Sequence, residues 1–118
     1  MMDHKQLDRD GLTRIADERH RHIQVKFRTT KTDLAYKPGT LAMAALCYTL
    51  MAASGDDMRT ELRAAVPFTD HWPWSEEHWK PGAGDNLVDR IRELEKAGAL
   101  IAAQIDVFLA ELAAGIAK

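Results

Sequence analysis

Residues 87–112 read LVDRIRELEKAGALIAAQIDVFLAEL, and within them Leu87, Ile91, Leu94, Gly98, Ile101, Ile105, Phe108 and Leu112 recur at alternating spacings of four and three. That repeat is a coiled-coil-like seam on an α-helix. Asp85 is the expected N-cap, and a helix from there to about 114 is roughly 45 Å long at 1.5 Å per residue. A compact chain of this size has a radius of gyration of only about 13 Å, so the spacing predicts either a kink at Gly98 or a second copy beside the helix. Gly98 stands among Ala97, Ala99, Ala102 and Ala103, where small side chains let two helix backbones approach closely. Leu94, Gly98, Ile101, Ile105 and Phe108 are therefore the candidate interface of a homodimer, the alternative being that segment 40–53 of the same chain fills the seam.

Composition agrees with helices elsewhere. Eighteen Ala and twelve Leu stand against ten Val plus Ile, a bias towards residues that lose little rotamer freedom in helices and away from those that suit strands. The expectation is an all-α bundle of three to four helices in one domain, residues 1–118. A first amphipathic helix spans about 5–27, with Leu12, Ile15, Ala16, Ile23 and Phe27 on its apolar face and Arg14, Asp17, Glu18 and Arg21 off it; Gly11 moves its start towards Leu12. Residues 28–39 read as a loop closed by Pro38 and Gly39. Thr40 to Ala53 is apolar around nearly its whole circumference, which requires burial on most sides. Ser54 and Gly55 end it, and Asp56 or Asp57 caps a shorter helix to Val66 with Met58, Leu62 and Ala65 inward. Pro67 to Gly84 holds three prolines, two glycines and all three tryptophans, an ordered loop rather than a linker.

Length, 118 residues, suffices for a core without disulfides, and the one cysteine excludes an internal disulfide. A net charge of −2 argues against the broadly basic surface of a nucleic-acid binder; no stable nucleic-acid complex is expected. The opening residues lack the apolar core of a signal peptide, and Leu41 to Ala53 is too short to span a bilayer, so a cytoplasmic protein with no membrane partner is expected.

Two segments carry potential chemistry. Arg14, Arg19, Arg21, Lys26, Arg28, Lys31 and Lys37 outnumber Asp17, Glu18 and Asp33 between positions 14 and 37, a local positive excess in an acidic chain. Such a patch is either a solvated helix face or an anion site, in which Arg forks match phosphate and Thr29, Thr30 and Thr32 add hydroxyl donors. His71 to Pro81 (HWPWSEEHWKP) either lids the helical core through Trp72 and Trp79 or offers indole faces for stacking and anchoring. The candidate ligand-binding set is Arg19, Arg21, Arg28, Lys31, Trp72, Trp74 and Lys80. His20 and His22 point apart on a helix and cannot chelate one ion; His71, Glu77 and His78 match no helical ligand pair. No metal or other cofactor is expected. Cys47 reads as an inert core thiol, and no catalytic residue is assigned. Gly82 to Asp85 reads as a break and a cap, although amides before a helix can hold an anion.

Taken together, Glu18-Arg19, Gly39-Thr40-Leu41-Ala42 with Ala44-Ala45 and Tyr48, Trp72-Pro73-Trp74, Trp79-Lys80-Pro81 and Lys96 to Ile101 resemble a group of small phage and prophage proteins over most of residues 15–106. Members of that group carry a His-Asp-Asp run before the Gly-x-Leu-Ala element, a Glu after its Gly, and a Glu in the final helix. Here those positions read Thr32-Asp33-Leu34, Thr40 and Gln104, so only Asp33 of the acidic set remains. The full acidic array is similar to that of Mg²⁺-dependent all-α nucleotide pyrophosphatases, whose chemistry needs several hard oxygen ligands. The resemblance implies phage origin and a host-cell cytoplasm. The leading expectation is a non-enzymatic binding protein for a nucleotide-derived anionic small molecule, acting against host defence. The alternatives are an anti-CRISPR-type inhibitor that contacts a host protein through the Trp loop, and a divergent pyrophosphatase using Asp33, Asp89 or Glu95.

Overall fold

A computed structural model describes residues 7–24, 38–64 and 71–115. It is all-helical: α1 (Gly11–Gln24), α2 (Thr40–Ala53), α3 (Asp56–Ala64), a single 3₁₀ turn at Glu76–His78, and the long α4 (Leu87–Ala113). Among the described residues there is no strand, and no helix is long and apolar enough to cross a membrane. The Trp-rich segment and the long last helix are both present. Residues expected at the ends of the first and third helices, 25–27 and 65–66, lie outside the described residues, as do Arg28, Lys31 and Asp33.

α4 runs 27 residues without a break at Gly98, about 40 Å at 1.5 Å per residue. Its N-cap is Asn86, whose side chain accepts from the Asp89 amide at 2.9 Å, rather than Asp85. Asp85 is drawn instead to two guanidinium groups, accepting from Arg59 Nε at 3.0 Å and from Arg63. Gly115, at φ 71, closes the other end in the left-handed region that a side chain disfavours.

α2 packs antiparallel on α4, Ala42 lying beside Gln104 and the Ala52 carbonyl beside Arg90. The core between them is Leu41, Ala44, Ala45, Tyr48 and Met51 against Ala97, Leu100, Ala103 and Val107. This corrects the alternative in which segment 40–53 fills the heptad seam. The buried stripe of α4 runs through Glu93, Ala97, Leu100, Gln104 and Val107, a face away from the seam, because alanines facing alanines allow the close approach that large side chains prevent. Leu94, Ile101, Ile105, Phe108 and Leu112 are left between 41 and 54 % exposed. α2 is accordingly buried on the α4 side while Leu46 on its outer face is 47 % exposed, less enclosed than its composition led one to expect. Buried Gln104 accepts from the Ala42 amide at 3.0 Å, supplying an acceptor to the first turn of α2 where Gly39 offers no capping side chain.

α1 is turned from its expected orientation, although Ile15 of the expected apolar face still points inward. Leu12 and Ala16 are exposed, whereas Arg14, Glu18, Arg19 and His22 are buried. The reason is a set of ion pairs to α4: Arg14 to Glu95 at 3.2 Å, Glu18 to Arg92 at 2.7 Å and Arg19 to Asp106 at 3.4 Å. Adjacent residues Glu18 and Arg19 thus reach positions about 21 Å apart along α4, so α1 lies across the long helix rather than along it. Ile15 sits at the crossing. A Cβ added to Gly98 would stand 2.5 Å from Ile15 Cδ1, so the small residue on the seam accommodates this chain's own Ile15.

α3 is held by Arg59, not by Met58, which is exposed. Arg59 is fully buried and uses all its N–H directions: Glu93 takes two (2.5 and 2.8 Å), Asp85 one, and the carbonyls of Met51 and Gly84 one each. One side chain therefore ties the end of α2, the segment before α4 and α4 itself to α3.

Candidate anion-binding site

The tryptophan segment is ordered by its own hydrogen bonds. Trp72 Nε1 donates to the Ser75 carbonyl at 3.1 Å, the His78 amide donates to the same oxygen at 3.0 Å, and the Trp79 amide closes the 3₁₀ turn on Glu76. Trp79 Nε1 reaches the Leu62 carbonyl of α3 at 2.9 Å. Tyr48 then anchors the segment to α2: its ring centroid is 4.8 Å from that of Trp79 and 5.8 Å from that of Trp72, and its hydroxyl accepts from the Lys80 amide at 3.2 Å. The contact with Trp72 is edge-on, at an interplanar angle of 82°, which suits the aromatic quadrupole, while that with Trp79 is tilted at 39°. Trp72 and Trp79 are buried as a lid, while Trp74 is half-buried against the edge of Trp72 at 5.5 Å.

Beside the lid, the inner turn of α1 faces α4. Glu18 receives both Arg21 Nε and Nη2 at 2.9 Å and Arg92 at 2.7 and 3.1 Å, with His22 Nε2 at 3.0 Å. Burial opposes ionisation of this carboxyl, but the bonds from Arg21, His22 and Arg92 outweigh it and hold its pKa well below the usual carboxylate range. Glu18 is thus a fixed anion that locks Arg21 in place. On α4, Lys96 Nζ donates to the Lys80 carbonyl at 2.8 Å and lies 5.4 Å from the Tyr48 ring centroid, a cation–π distance.

Lid, α1 and α4 enclose a pocket of about 90 Å³. Its lining brings together Arg21, Trp72, Trp74 and Lys80 of the sequence-predicted set and adds Glu18, His22, Tyr48, His78, Lys96 and Leu100. Three cationic side chains and two imidazoles meet one carboxylate already engaged by arginines, so the pocket is electropositive within an acidic chain. No protein-family model, curated protein or solved structure matches the chain.

Arg19 is not part of this pocket. Its neighbour's orientation turns it to Asp106. Arg28 and Lys31 lie outside the described residues. Of the further lining residues, His22 and His78 carry a sequence signal only as candidate metal ligands, and Lys96 carries no local signal because its cationic neighbours, Lys80 and Arg21, are distant in the chain. The glycine stretch before α4 is unavailable to an anion, since the Gly82 amide donates to Glu93 at 2.7 Å and the Gly84 amide to Asp89 at 3.0 Å. Asp89 and Glu95, the described candidates for hydrolysis, serve that amide and the pair Arg14 and Arg92 respectively. Among the described residues no three His, Cys, Asp or Glu side chains gather as a metal site. Cys47 is buried, and burial pushes its thiol up to about 11.

Proposed function

We propose that the protein binds a nucleotide-derived anionic small molecule and performs no chemistry on it. The observation that carries this reading is the convergence of Arg21, Lys80 and Lys96, from three separated segments, on one small pocket walled by Trp72 and Trp74. At about 30 Å³ per water, a volume of about 90 Å³ holds three waters or one phosphate-sized group. The anionic head enters and the remainder of the ligand stays outside. A base then stacks on half-buried Trp74, because Trp72 is already packed on Tyr48, Trp74 and Trp79. Arg21 supplies a fork pre-oriented by Glu18, which lowers the entropy lost on binding. The resemblance to phage proteins supports a role in an infected cell, where sequestering a nucleotide signal would act against host defence.

Calorimetric titration with mononucleotides, cyclic nucleotides and inorganic phosphate tests the reading. Binding tighter than about 100 μM, or about −5.5 kcal/mol, is expected for at least one phosphate-bearing ligand, with Lys80→Ala and Lys96→Ala each weakening it about tenfold. Absence of any such binding overturns it. The Trp-loop inhibitor is the weaker alternative, because two of its three indoles are committed to the protein's own core.

A further inference from the structure

A second, larger pocket adjoins the anion pocket. It measures about 300 Å³, and the two share Glu18 and Arg21 as a common wall. The rest of its lining is Arg9, Arg14 and Asp17 from α1 and the residues just before it, with Arg92 and Glu95 from α4.

Every carboxylate here is already engaged. Arg9 Nη1 donates to Asp17 at 2.5 Å, Arg14 and Arg92 each donate to Glu95 at 3.2 Å, and Arg21 and Arg92 both hold Glu18. Four guanidinium groups against three carboxylates leave one positive charge in excess. Donors are left as well: Arg9 Nε and Nη2, Arg21 Nη1 and Arg92 Nε make no hydrogen bond among the described residues. A guanidinium held by a carboxylate presents its remaining N–H groups in a fixed direction, and phosphate oxygens are the acceptors that such forks fit.

We propose that this pocket takes the second phosphate of a dinucleotide whose first phosphate sits in the smaller pocket. The inference rests on the anion-binding reading above and narrows its ligand. Volume is one reason: about 90 Å³ admits a phosphate-sized group alone, whereas about 300 Å³ is the lower end of cavities that enclose small ligands and has room for a phosphate with its sugar. Spacing is another. On α4 the larger pocket is lined by Arg92 and Glu95 and the smaller by Lys96 and Leu100, a shift of about 6–7.5 Å along the axis. The phosphates of a pyrophosphate share one bridging oxygen and stand closer than that, whereas phosphates on the 3′ and 5′ oxygens of one ribose can reach both pockets. Charge agrees, because a phosphodiester brings one negative charge to the single excess cation of the larger pocket, while a terminal phosphate brings about −1.5 to −2. Arg21, in the shared wall, lies between the two groups and can donate to either.

Calorimetric titration with AMP, ADP, the linear dinucleotide pApA and cyclic di-adenylate tests this. AMP reports the smaller pocket, ADP adds a directly linked phosphate, and the two dinucleotides add a phosphate across a ribose. At least one dinucleotide is expected to bind about tenfold or more tighter than AMP, with ADP within about threefold of AMP; whichever of the linear and cyclic forms binds tighter names the source of the ligand. Arg9→Ala, at an exposed position, is expected to reduce the dinucleotide-to-AMP ratio about tenfold with unchanged helical circular dichroism, while Lys80→Ala weakens both ligands and keeps the ratio. AMP binding with no gain for either dinucleotide overturns the second subsite and leaves the anion-binding reading standing, whereas absence of binding by every phosphate ligand overturns both. A gain for ADP equal to that of the dinucleotides overturns the spacing across a ribose, and a ratio unaltered by Arg9→Ala overturns the assignment of the larger pocket.

Discussion

Removing one side of the Arg59–Glu93 pair is expected to be among the most damaging single changes in the molecule. Arg59 is 0 % exposed and Glu93 1 %, and breaking a buried pair by deleting one partner costs about 3–5 kcal/mol because a charge is stranded in the interior. The two directions are unequal. Glu93→Gln leaves Arg59 with Asp85 and the carbonyls of Met51 and Gly84, so its cost falls near the lower end, about 3 kcal/mol. Arg59→Met strands the Glu93 carboxylate with only the Gly82 amide and leaves the carbonyls of Met51 and Gly84 only the longer bonds from the Ser54 amide and Arg63, each at 3.4 Å, so about 5 kcal/mol is expected. A domain of this length has a total stability of about 6–18 kcal/mol, so either variant remains measurable when the native margin is not at the low end. Urea unfolding followed by circular dichroism at 222 nm reads both. With an m value of about 2 kcal/mol per M, Glu93→Gln lowers the midpoint by about 1.5 M. The double variant Arg59→Met with Glu93→Leu replaces the pair by apolar side chains and is expected to lose less than Arg59→Met alone, a coupling of about 2 kcal/mol or more. A single variant within 1 kcal/mol of the unaltered protein, or additive losses in the double, refutes the idea that this pair ties α3 to α4.

The remaining expectations are narrower. Glu18 has a folded pKa depressed below its ordinary value of 4.5, so its stabilisation is complete above about pH 4.5 and is lost as pH falls through the folded value; thermal melts should be flat in this respect from pH 7 to 5 and fall below pH 4. Glu18→Gln should melt lower at pH 7 with a shallower acid dependence, and an unchanged acid slope would contradict the assignment. Gly98→Ala gains about 1 kcal/mol of helix propensity, but its Cβ meets Ile15 at 2.5 Å, so a net loss of about 1–2 kcal/mol is expected from overpacking, recovered when Ile15→Ala is added; stabilisation by Gly98→Ala alone would show that Ile15 does not hold that place. Cys47 should resist a thiol reagent at pH 8 in the native protein and react on unfolding in urea, since burial raises its pKa to about 11; rapid stoichiometric labelling of the native chain would disprove its burial.

Helical class, the positions of α2 and α4, and the lid role of Trp72 and Trp79 were legible in the linear chain, because propensity, the 3.6 period and the clustering of proline with tryptophan are local properties. Local periodicity also located an apolar seam on α4 and named a second copy as its occupant, with segment 40–53 as the alternative. The tertiary structure decided that the alanine face, not the face with larger side chains, meets α2, since how closely two helices approach depends on both surfaces at once. It also turned α1 so that Arg14, Glu18 and Arg19 face α4, against the helix's own amphipathic pattern. Partners 74 and 34 positions apart, Glu18 with Arg92 and Arg59 with Glu93, decided those placements, and a buried charge is stable only where the fold delivers its counter-charge. The anion pocket follows the same logic: sequence named Arg21, Trp72, Trp74 and Lys80 by residue type, and only the crossing of α1 over α4 brought them to one cavity with Lys96. A single chain carries the chemical character of each side chain, whereas convergence of charge in space is a property of the packed helices.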